Sequence, residues 1–397
     1  MLIGVKIKNF GLLQEFSLGL DLQDLLGLTN LKERQKLPAL KPLSVFIGKN
    51  ASGKSTFFEA LRFLSEAISL NVHIASNQSK QGSYSDLIFN YQPEEYDLEF
   101  DLIYEKKLGE WLNYYLKISS DEFSRPYFAK EKLTKYVFNK AQMHEQLLLE
   151  IESKEGKILQ VDSLNKQFFK PIQLTERKVS AINIFGRQKE YEDIGFLYYQ
   201  ISHFYYADYK QLPRKVSKTQ KTGGHKHLNA SYSNVENVIY YLKKRKPKEY
   251  KDLQKRLNQN LHNHNSIDLN QLDKLDNEAQ IRYLISYLIL SDDKPLIAFD
   301  NPDNGLYYEM SDSLALEFRD YTLRNENPQI FIATHNTNML ENFSPYEVWS
   351  FDRIQNEQGI DQIKTRYLGF NSVITAMYQE GIRLGSLLYS GYLDKNK

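Results

Sequence analysis

The chain has 397 residues, 41% of them apolar, a formal net charge of +1 and no cysteine. That length and apolar content suffice for two or three domains with real cores, and the missing cysteine excludes disulfides, thiolate metal sites and cysteine nucleophiles together. No apolar run approaches the about 18 residues a membrane helix needs, and Met1 to Gly11 alternates like a strand instead of resembling a signal peptide, so a folded cytoplasmic protein is expected.

Strand character opens the chain at Ile3-Gly4-Val5-Lys6-Ile7, and Asp21 to Leu40 reads as an excursion over the surface before a second apolar strand, Leu43 to Ile47. Directly after it, Gly48-Lys49-Asn50-Ala51-Ser52-Gly53-Lys54-Ser55-Thr56 matches the phosphate-loop pattern G-x-x-x-x-G-K-[S/T] and leads into helical spacing at Phe57, Leu61, Leu64 and Ile68. Strand, loop and helix in that order make a nucleoside triphosphate with Mg²⁺ the expected ligand. The glycines let successive N–H groups point inward, Lys54 reaches the β- and γ-phosphates, and Ser55 offers its hydroxyl to the metal. The negative charge then lies at the positive end of the helix.

Alternating runs at Tyr96 to Tyr104 and Leu112 to Ile118, separated by Lys107-Leu108-Gly109, read as an antiparallel meander. Leu147 to Ile151 and Lys157 to Val161 flank the turn Ser153-Lys154-Glu155-Gly156 as a further hairpin. Helical character dominates from Leu174 to Leu290, interrupted at Gly223-Gly224. Without an internal repeat or sustained heptads, this insertion is expected to be compact. It also carries the charge asymmetry, since Lys210 to Arg256 holds fourteen Lys or Arg against three acids, Glu236, Glu249 and Asp252. Such a stripe can neutralise nucleic-acid phosphates, whereas a solvated helix face is the plainer reading of the same charges. The close histidine pairs, His225/His227 and His262/His264, lack a third ligand at metal spacing and read as solvated loops.

Two apolar runs follow, Pro295 to Asp300 and Gln329 to His335, both with the look of buried parallel strands. Ligands of open α/β sheets gather at the carboxyl ends of strands, so Asp300 and His335 are expected at the same edge as the phosphate loop. Asp300 is then the second Mg²⁺ contact, beside Ser55, and His335 a hydrogen-bond donor to the γ-phosphate. The tail reads as a strand pair, Tyr346 to Tyr367, and a helix, Ser372 to Leu393. The expected division is residues 1–170 and 281–397 for the two parts of a nucleotide-binding head and 171–280 for the insertion.

Taken together, Leu2 to Phe10, the phosphate loop with Asn50, Leu87-Ile88-Phe89-Asn90, Leu228 to Leu242, Asp300 to Leu306, Ala333 to Leu340 and Gly381 to Leu388 resemble the ABC-type ATPase heads of the OLD, SMC and RecF group. They are most similar to the small AAA family ATPases of prokaryotic defence and toxin-type loci. The resemblance implies an α/β fold: mixed or antiparallel N-terminal strands, a parallel core sheet and a mainly helical insertion. It also implies ATP bound between two heads, each phosphate loop facing the partner's signature segment, which here aligns with Asn277-Glu278-Ala279-Gln280-Ile281-Arg282-Tyr283.

The sequence departs from that family pattern twice. The catalytic Asp-Glu-Pro is Asp300-Asn301-Pro302, and an amide can orient a water but cannot take its proton. Ala279 adds a methyl where the signature backbone should approach a phosphate closely. Both changes weaken hydrolysis more than binding. A slow ATPase used as a latch, one half of a heteromeric site, and a replaced residue at position 301 all fit. One functional reading is a nucleotide-gated homodimer or higher oligomer that controls a separate effector, a nuclease or toxin, in phage defence. The alternative is a RecF-like ATPase that clamps DNA through Lys210 to Arg256, and a metabolic kinase fits the order of motifs poorly.

Overall fold

The computed structural model describes residues 1–78, 82–92, 95–162, 164, 166–213, 215–216, 226–261, 266–275, 277–324, 328–355 and 359–393. The strands in chain order are β1 (Leu2–Phe10), β2 (Leu13–Gly19), β3 (Leu43–Ile47), β4 (Leu98–Lys107), β5 (Glu110–Ser120), β6 (Pro126–Asn139), β7 (Gln142–Glu152), β8 (Glu155–Val161), β9 (Gln167–Gln173), β10 (Tyr205–Asp208), β11 (Leu296–Asp300), β12 (Gln329–Ala333), β13 (Val348–Gln355) and β14 (Asp361–Tyr367). The helices are α1 (Leu22–Leu26), α2 (Lys54–Ser69), α3 (Val72–Gln78), α4 (Tyr84–Leu87), α5 (Ala181–Phe185), α6 (Glu192–Ser202), α7 (Val235–Arg245), α8 (Pro247–Asn258), α9 (Glu278–Ile289), α10 (Tyr308–Arg324), α11 (Thr337–Leu340), α12 (Ser372–Gln379) and α13 (Leu384–Tyr389). They fall into two units. Met1–Pro42, Gly48–Tyr205 and Trp349–Phe370 make the first; Leu43–Ile47, Tyr206–Val348 and Asn371–Lys397 make the second.

The first unit is built on an antiparallel sheet ordered β2-β1-β4-β5-β6-β7-β8-β9. Period-two alternation buries Leu98, Phe100, Leu102 and Tyr104 along β4. The β4–β5 turn closes with Lys107 opposite Glu110 at Gly109, whose φ of 86° suits a residue without Cβ. Helix α2 lays its apolar face on the sheet, with Phe10 and Phe63 ring centroids 5.9 Å apart and Phe16 and Phe57 5.4 Å apart. The hairpin β13–β14 joins this core through Phe351, 5.6 Å from Phe16, and through Thr365, whose hydroxyl donates to the Ser17 carbonyl at 2.8 Å.

Asp21 to Leu40 is not a surface excursion. It folds into α1 and a short 3-10 turn that cover a second core of Ile3, Leu20, Leu25, Leu28, Ala39, Ile103, Trp111 and Tyr136. Arg34 is buried there against Glu105 at 3.1 Å, and Glu105 also accepts from the Trp111 indole at 2.9 Å.

Glu131, in the middle of β6 and 1% exposed, takes the role of a helix cap from a distance. Its carboxylate accepts from Tyr114 Oη at 2.9 Å, Ser180 Oγ at 2.9 Å and the backbone N–H groups of Ala181 at 2.7 Å and Ile182 at 3.4 Å. The two backbone donors belong to the first turn of α5, so one side chain joins sheet and helix.

The second unit holds the parallel strands. β11 pairs with β12, β12 pairs with β3, and β10 lies beside β11. Every residue of β3, β11 and β12 is buried, as continuous apolar runs in a parallel sheet require. Rings of Phe46 and Phe331 meet edge to face at 5.2 Å, and Phe299 packs on Phe318 of α10 at 4.7 Å. Helix α9 is buried from Ile281 through its end, and the hydroxyl of Tyr283 bonds Ser313 Oγ at 2.9 Å.

The expected fold class, α/β with antiparallel N-terminal strands and a parallel core sheet, is the one observed. The stretch read as helical up to Leu290 also contains the short strand β10. The single C-terminal helix expected from Ser372 to Leu393 is two, α12 and α13, parted at Gly381 with φ 91°. Gly223-Gly224, His225, His262 and His264 lie outside the described residues. Among the described residues no helix is long and apolar enough to cross a membrane.

Glu131→Ala is expected to lower unfolding free energy by about 3 kcal/mol or more, because it strands several buried donors. Burial pushes the Glu131 carboxyl above its usual range, opposing the lowering by its four donors. A raised folded-state value means a contribution complete below the ordinary carboxyl range and lost as pH climbs through the raised value. The stability gap between wild type and Glu131→Gln should therefore narrow as pH rises from 4 to 7 in urea unfolding. A gap that widens over that window contradicts the assignment.

Candidate nucleotide site

The phosphate loop belongs to the first unit, although the strand that feeds it, β3, belongs to the second. Gly48 has φ 144°, and a Cβ there would lie 2.3 Å from the Phe351 carbonyl oxygen and 2.8 Å from Ser52 Oγ. Gly53, with φ 91°, caps α2, and a Cβ on it would come within 3.0 Å of the Ile363 side chain. Between them Ala51 holds φ 60°, a left-handed conformation that costs an L-residue about 1–2 kcal/mol. The chain is thus curled at two glycines and at one strained alanine, which is the form a phosphate cradle needs.

Lys54 is 5% exposed. Its ammonium donates to the carbonyls of Gly48 at 2.8 Å and Lys49 at 3.0 Å and to Ser52 Oγ at 3.2 Å, so the charge is held inside the loop. Lys49, Asn50 and Ala51 are exposed, and Ser55 and Thr56 are half-buried. Helix α2 has neither a side-chain cap nor an acid in its first turn, which leaves its positive end suited to an anion. Glycines without room for a Cβ, an uncapped helix start and a buried ammonium fit a triphosphate, with Ser55 in reach of its metal.

In the second unit β11, β12 and β3 run parallel and end at one edge of their sheet. Asp300 is the last residue of β11, Thr334-His335 follow β12, and Ile47 of β3 passes the chain on to Gly48. Asp300 is 6% exposed, and both of its oxygens are engaged: Oδ2 accepts from Tyr206 Oη at 2.9 Å, and Oδ1 from the Asn301 side-chain amide at 2.9 Å. A carboxylate has about four lone-pair sites, so two such bonds orient it and leave room for a metal ion.

Asn301 sits at φ 51°. Its backbone N–H donates to the Ala333 carbonyl at 2.9 Å, and its own carbonyl accepts from Arg282 at 3.4 Å. Asp303, 4% exposed, accepts from the Thr334 hydroxyl at 2.9 Å, and Thr334 Oγ1 in turn accepts from the Asn336 N–H at 3.0 Å. That relay bridges the turn on which His335 stands exposed. Burial pushes the Asp303 carboxyl above the usual range despite the Thr334 bond and the Arg282 charge, and its Oδ1 has no hydrogen-bond partner among the described residues.

Asn277 caps α9 by accepting the Ala279 N–H at 2.8 Å, and the Ala279 methyl is buried. The second unit thus brings together Asp300, Asn301 and the turn carrying His335, with Asn277 and Ala279 at the start of a helix fastened to the same loop. Tyr206, Arg282, Asp303, Thr334 and Tyr307 are the partners that motif reading left without these roles. Only Tyr205-Tyr206-Ala207-Asp208 carried a local signal, a brief alternation inside a stretch read as helix.

The basic stripe is partly described. Lys243 donates to Asn270 at 2.7 Å, Lys246 pairs with Glu249 at 2.8 Å and Arg256 with Asp252 at 2.9 Å, while Arg214 and residues 217–225 lie outside the described residues. His227 bonds Asp292 at 2.7 Å. No cluster of three metal-ligating side chains occurs among the described residues.

Among solved structures the chain is similar to the Smc head bound to the C-winged helix domain of ScpA, at 10% identity and TM-score 0.43, covering 93% of this chain and 98% of that one. It is similar to the SMC head domain from Thermotoga maritima, at 11% identity and TM-score 0.40 over 92% and 98% of the two chains. A nucleotide-free ATP-binding cassette from an ABC transporter follows at 11% identity and TM-score 0.36 over 88% and 87%. Likenesses this remote bear on no residue's role. No curated protein matches the sequence. Residues 43–341, which take in the phosphate loop, Asn277, Asp300 and His335, match the family described as "AAA domain, putative AbiEii toxin, Type IV TA system", and the chain belongs to that family.

Proposed function

We propose that the chain binds MgATP through Gly48 to Thr56 and uses it as a latch between two copies, with slow or conditional hydrolysis, to control a separate effector. The observation that carries the reading is the phosphate loop itself, with its crowded Gly48, left-handed Gly53 and buried Lys54 ammonium at the start of an uncapped helix. In this reading Ser55 and Asp300 hold the metal and His335 meets the γ-phosphate. Asn301 orients water without accepting its proton, and Asn277 and Ala279 belong to the segment offered to the second copy. The family description names a toxin of a toxin-antitoxin system, which supports a role in such a system; a separate nuclease or toxin as the effector, and phage defence as the setting, are part of the proposal.

Nucleic acid held along Lys210 to Arg256 is the second reading, favoured by that segment's fourteen cations. The local pairing of Lys243, Lys246 and Arg256 weighs against it. Binding of an oligonucleotide that weakens steeply with salt would reverse the ranking.

Charge-assisted hydrogen bonds are worth about 1.5–3 kcal/mol, so Lys54→Ala should weaken MgATP binding about 10- to 100-fold in calorimetric titration and abolish nucleotide-dependent dimers. Unaltered affinity would remove the loop from the site. For Asn301→Glu, gain of a positioned base should raise turnover about 10²- to 10⁴-fold over the wild-type rate, measured by phosphate release. Brisk wild-type turnover without any partner would contradict the role given to Asn301.

A further inference from the structure

Helix α9 is fastened to the loop that follows β11 at two separate points within the second unit. At its start, Asn277 caps the helix with one end of its amide and donates with the other to Tyr307 Oη at 2.8 Å. One turn on, Arg282 donates to the Asn301 carbonyl at 3.4 Å and to Glu278 Oε1 at 3.4 Å, and its guanidinium lies 4.9 Å from the centre of the Tyr209 ring. Arg282 is 6% exposed, and its Nε has no hydrogen-bond partner among the described residues. A buried cation with two long bonds and an orphaned donor is a poor stabiliser, because desolvation of the charge is only partly repaid.

The loop between these fastenings is short and hydrogen-bonded at Asn301 and Asp303. Asn301 is fixed by its N–H to Ala333 and by its amide to Asp300, and Asp303 by Thr334. A displacement of the α9 start therefore has a hydrogen-bonded route to Asp300 through Asn277, Tyr307 and the loop, and a second through Arg282 and the Asn301 carbonyl. We propose that Arg282 and Tyr307 are positioning residues that make the α9 start and the Asp300–Asp303 segment move as one body. Contact of the α9 start with a second copy is thereby reported to the metal-binding carboxylate of its own copy. This coupling rests on the two-copy reading given above.

The test uses the full chain with MgATP and the Tyr307→Phe and Arg282→Gln variants. Tyr307 is 47% exposed and the Phe variant loses one oxygen, so its fold is expected to persist even if Arg282→Gln proves unstable. ATP affinity is measured by titration at protein concentrations where the chain is a monomer, and dimer formation by sedimentation across ATP concentrations. Site-to-site coupling typically amounts to about 5- to 150-fold, so the variants should need at least about fivefold more ATP for half-maximal dimer while monomer affinity moves less than about twofold. If wild type dimerises with ATP and Tyr307→Phe dimerises identically, the coupling is overturned and the latch stands. If both affinities fall together, Tyr307 is merely structural and the coupling is again overturned. If wild type binds ATP but never dimerises, the two-copy reading fails, and the coupling with it.

Discussion

The ladder of the parallel sheet does not stop where its strands stop. Asn301, one residue beyond β11, donates its N–H to the Ala333 carbonyl at 2.9 Å, and Thr334, one residue beyond β12, donates to the Phe46 carbonyl at 3.1 Å. Register set by buried apolar runs is in this way carried into the two loops that bear the candidate site residues. A slip of one residue would exchange the two buried faces of a strand and misfit packed pairs such as Phe46 on Phe331 and Phe299 on Phe318. Asp300, Asn301 and Thr334 are therefore located by packing rather than by their own side chains, and sequence near them needs only to supply groups of the right length.

Each unit buries charge, some of it fully hydrogen-bonded and some not. Glu131 of the first unit has four donors from β5 and the start of α5, and these bonds, which only the folded state assembles, offset part of the penalty of taking a carboxylate from water. It holds sheet to helix and nothing suggests a further duty. Arg34 of the first unit and Arg282 and Asp303 of the second each keep one polar atom without a hydrogen-bond partner among the described residues, and of these Arg282 and Asp303 meet at the loop after β11. Fully satisfied buried polar groups fix a structure, whereas partly satisfied ones mark places where stability has been exchanged for something else.

What could be read in the sequence was what is local. The phosphate loop is nine consecutive residues whose chemistry needs no distant partner, and the buried runs ending at Asp300 and Thr334 announce themselves by composition. Strand β9 was illegible because it is exposed almost throughout, and without a buried face there is no alternation to see. Asp21 to Leu40 looked like a surface excursion because its buried residues, Leu25, Leu28, Ala39 and Leu40, follow no period, their burial being decided by Trp111 and Tyr136 far along the chain. Tyr206 and Arg282 were missed as members of the site for the same reason. Their partners, Asp300 and Asn301, lie in other elements, and nothing in a tyrosine or arginine alone names the group it will meet.

The asparagine at position 301 makes more sense in this setting than as a mere missing glutamate. Its φ of 51° lies in the left-handed region, which asparagine enters several times more readily than most residues because its short amide can bond locally. Its amide nitrogen is also a donor, and it is spent on Asp300, where a carboxylate in the same place would add a second negative charge 2.9 Å from the first. Glutamate at 301 would have to swing clear of Asp300 and accept the backbone strain, and it would leave Asp300 held by Tyr206 alone. The exchange thus withdraws a proton acceptor and supplies an orienting donor to the carboxylate assigned to the metal. Both halves fit the proposed latch, in which the nucleotide is held and turned over slowly.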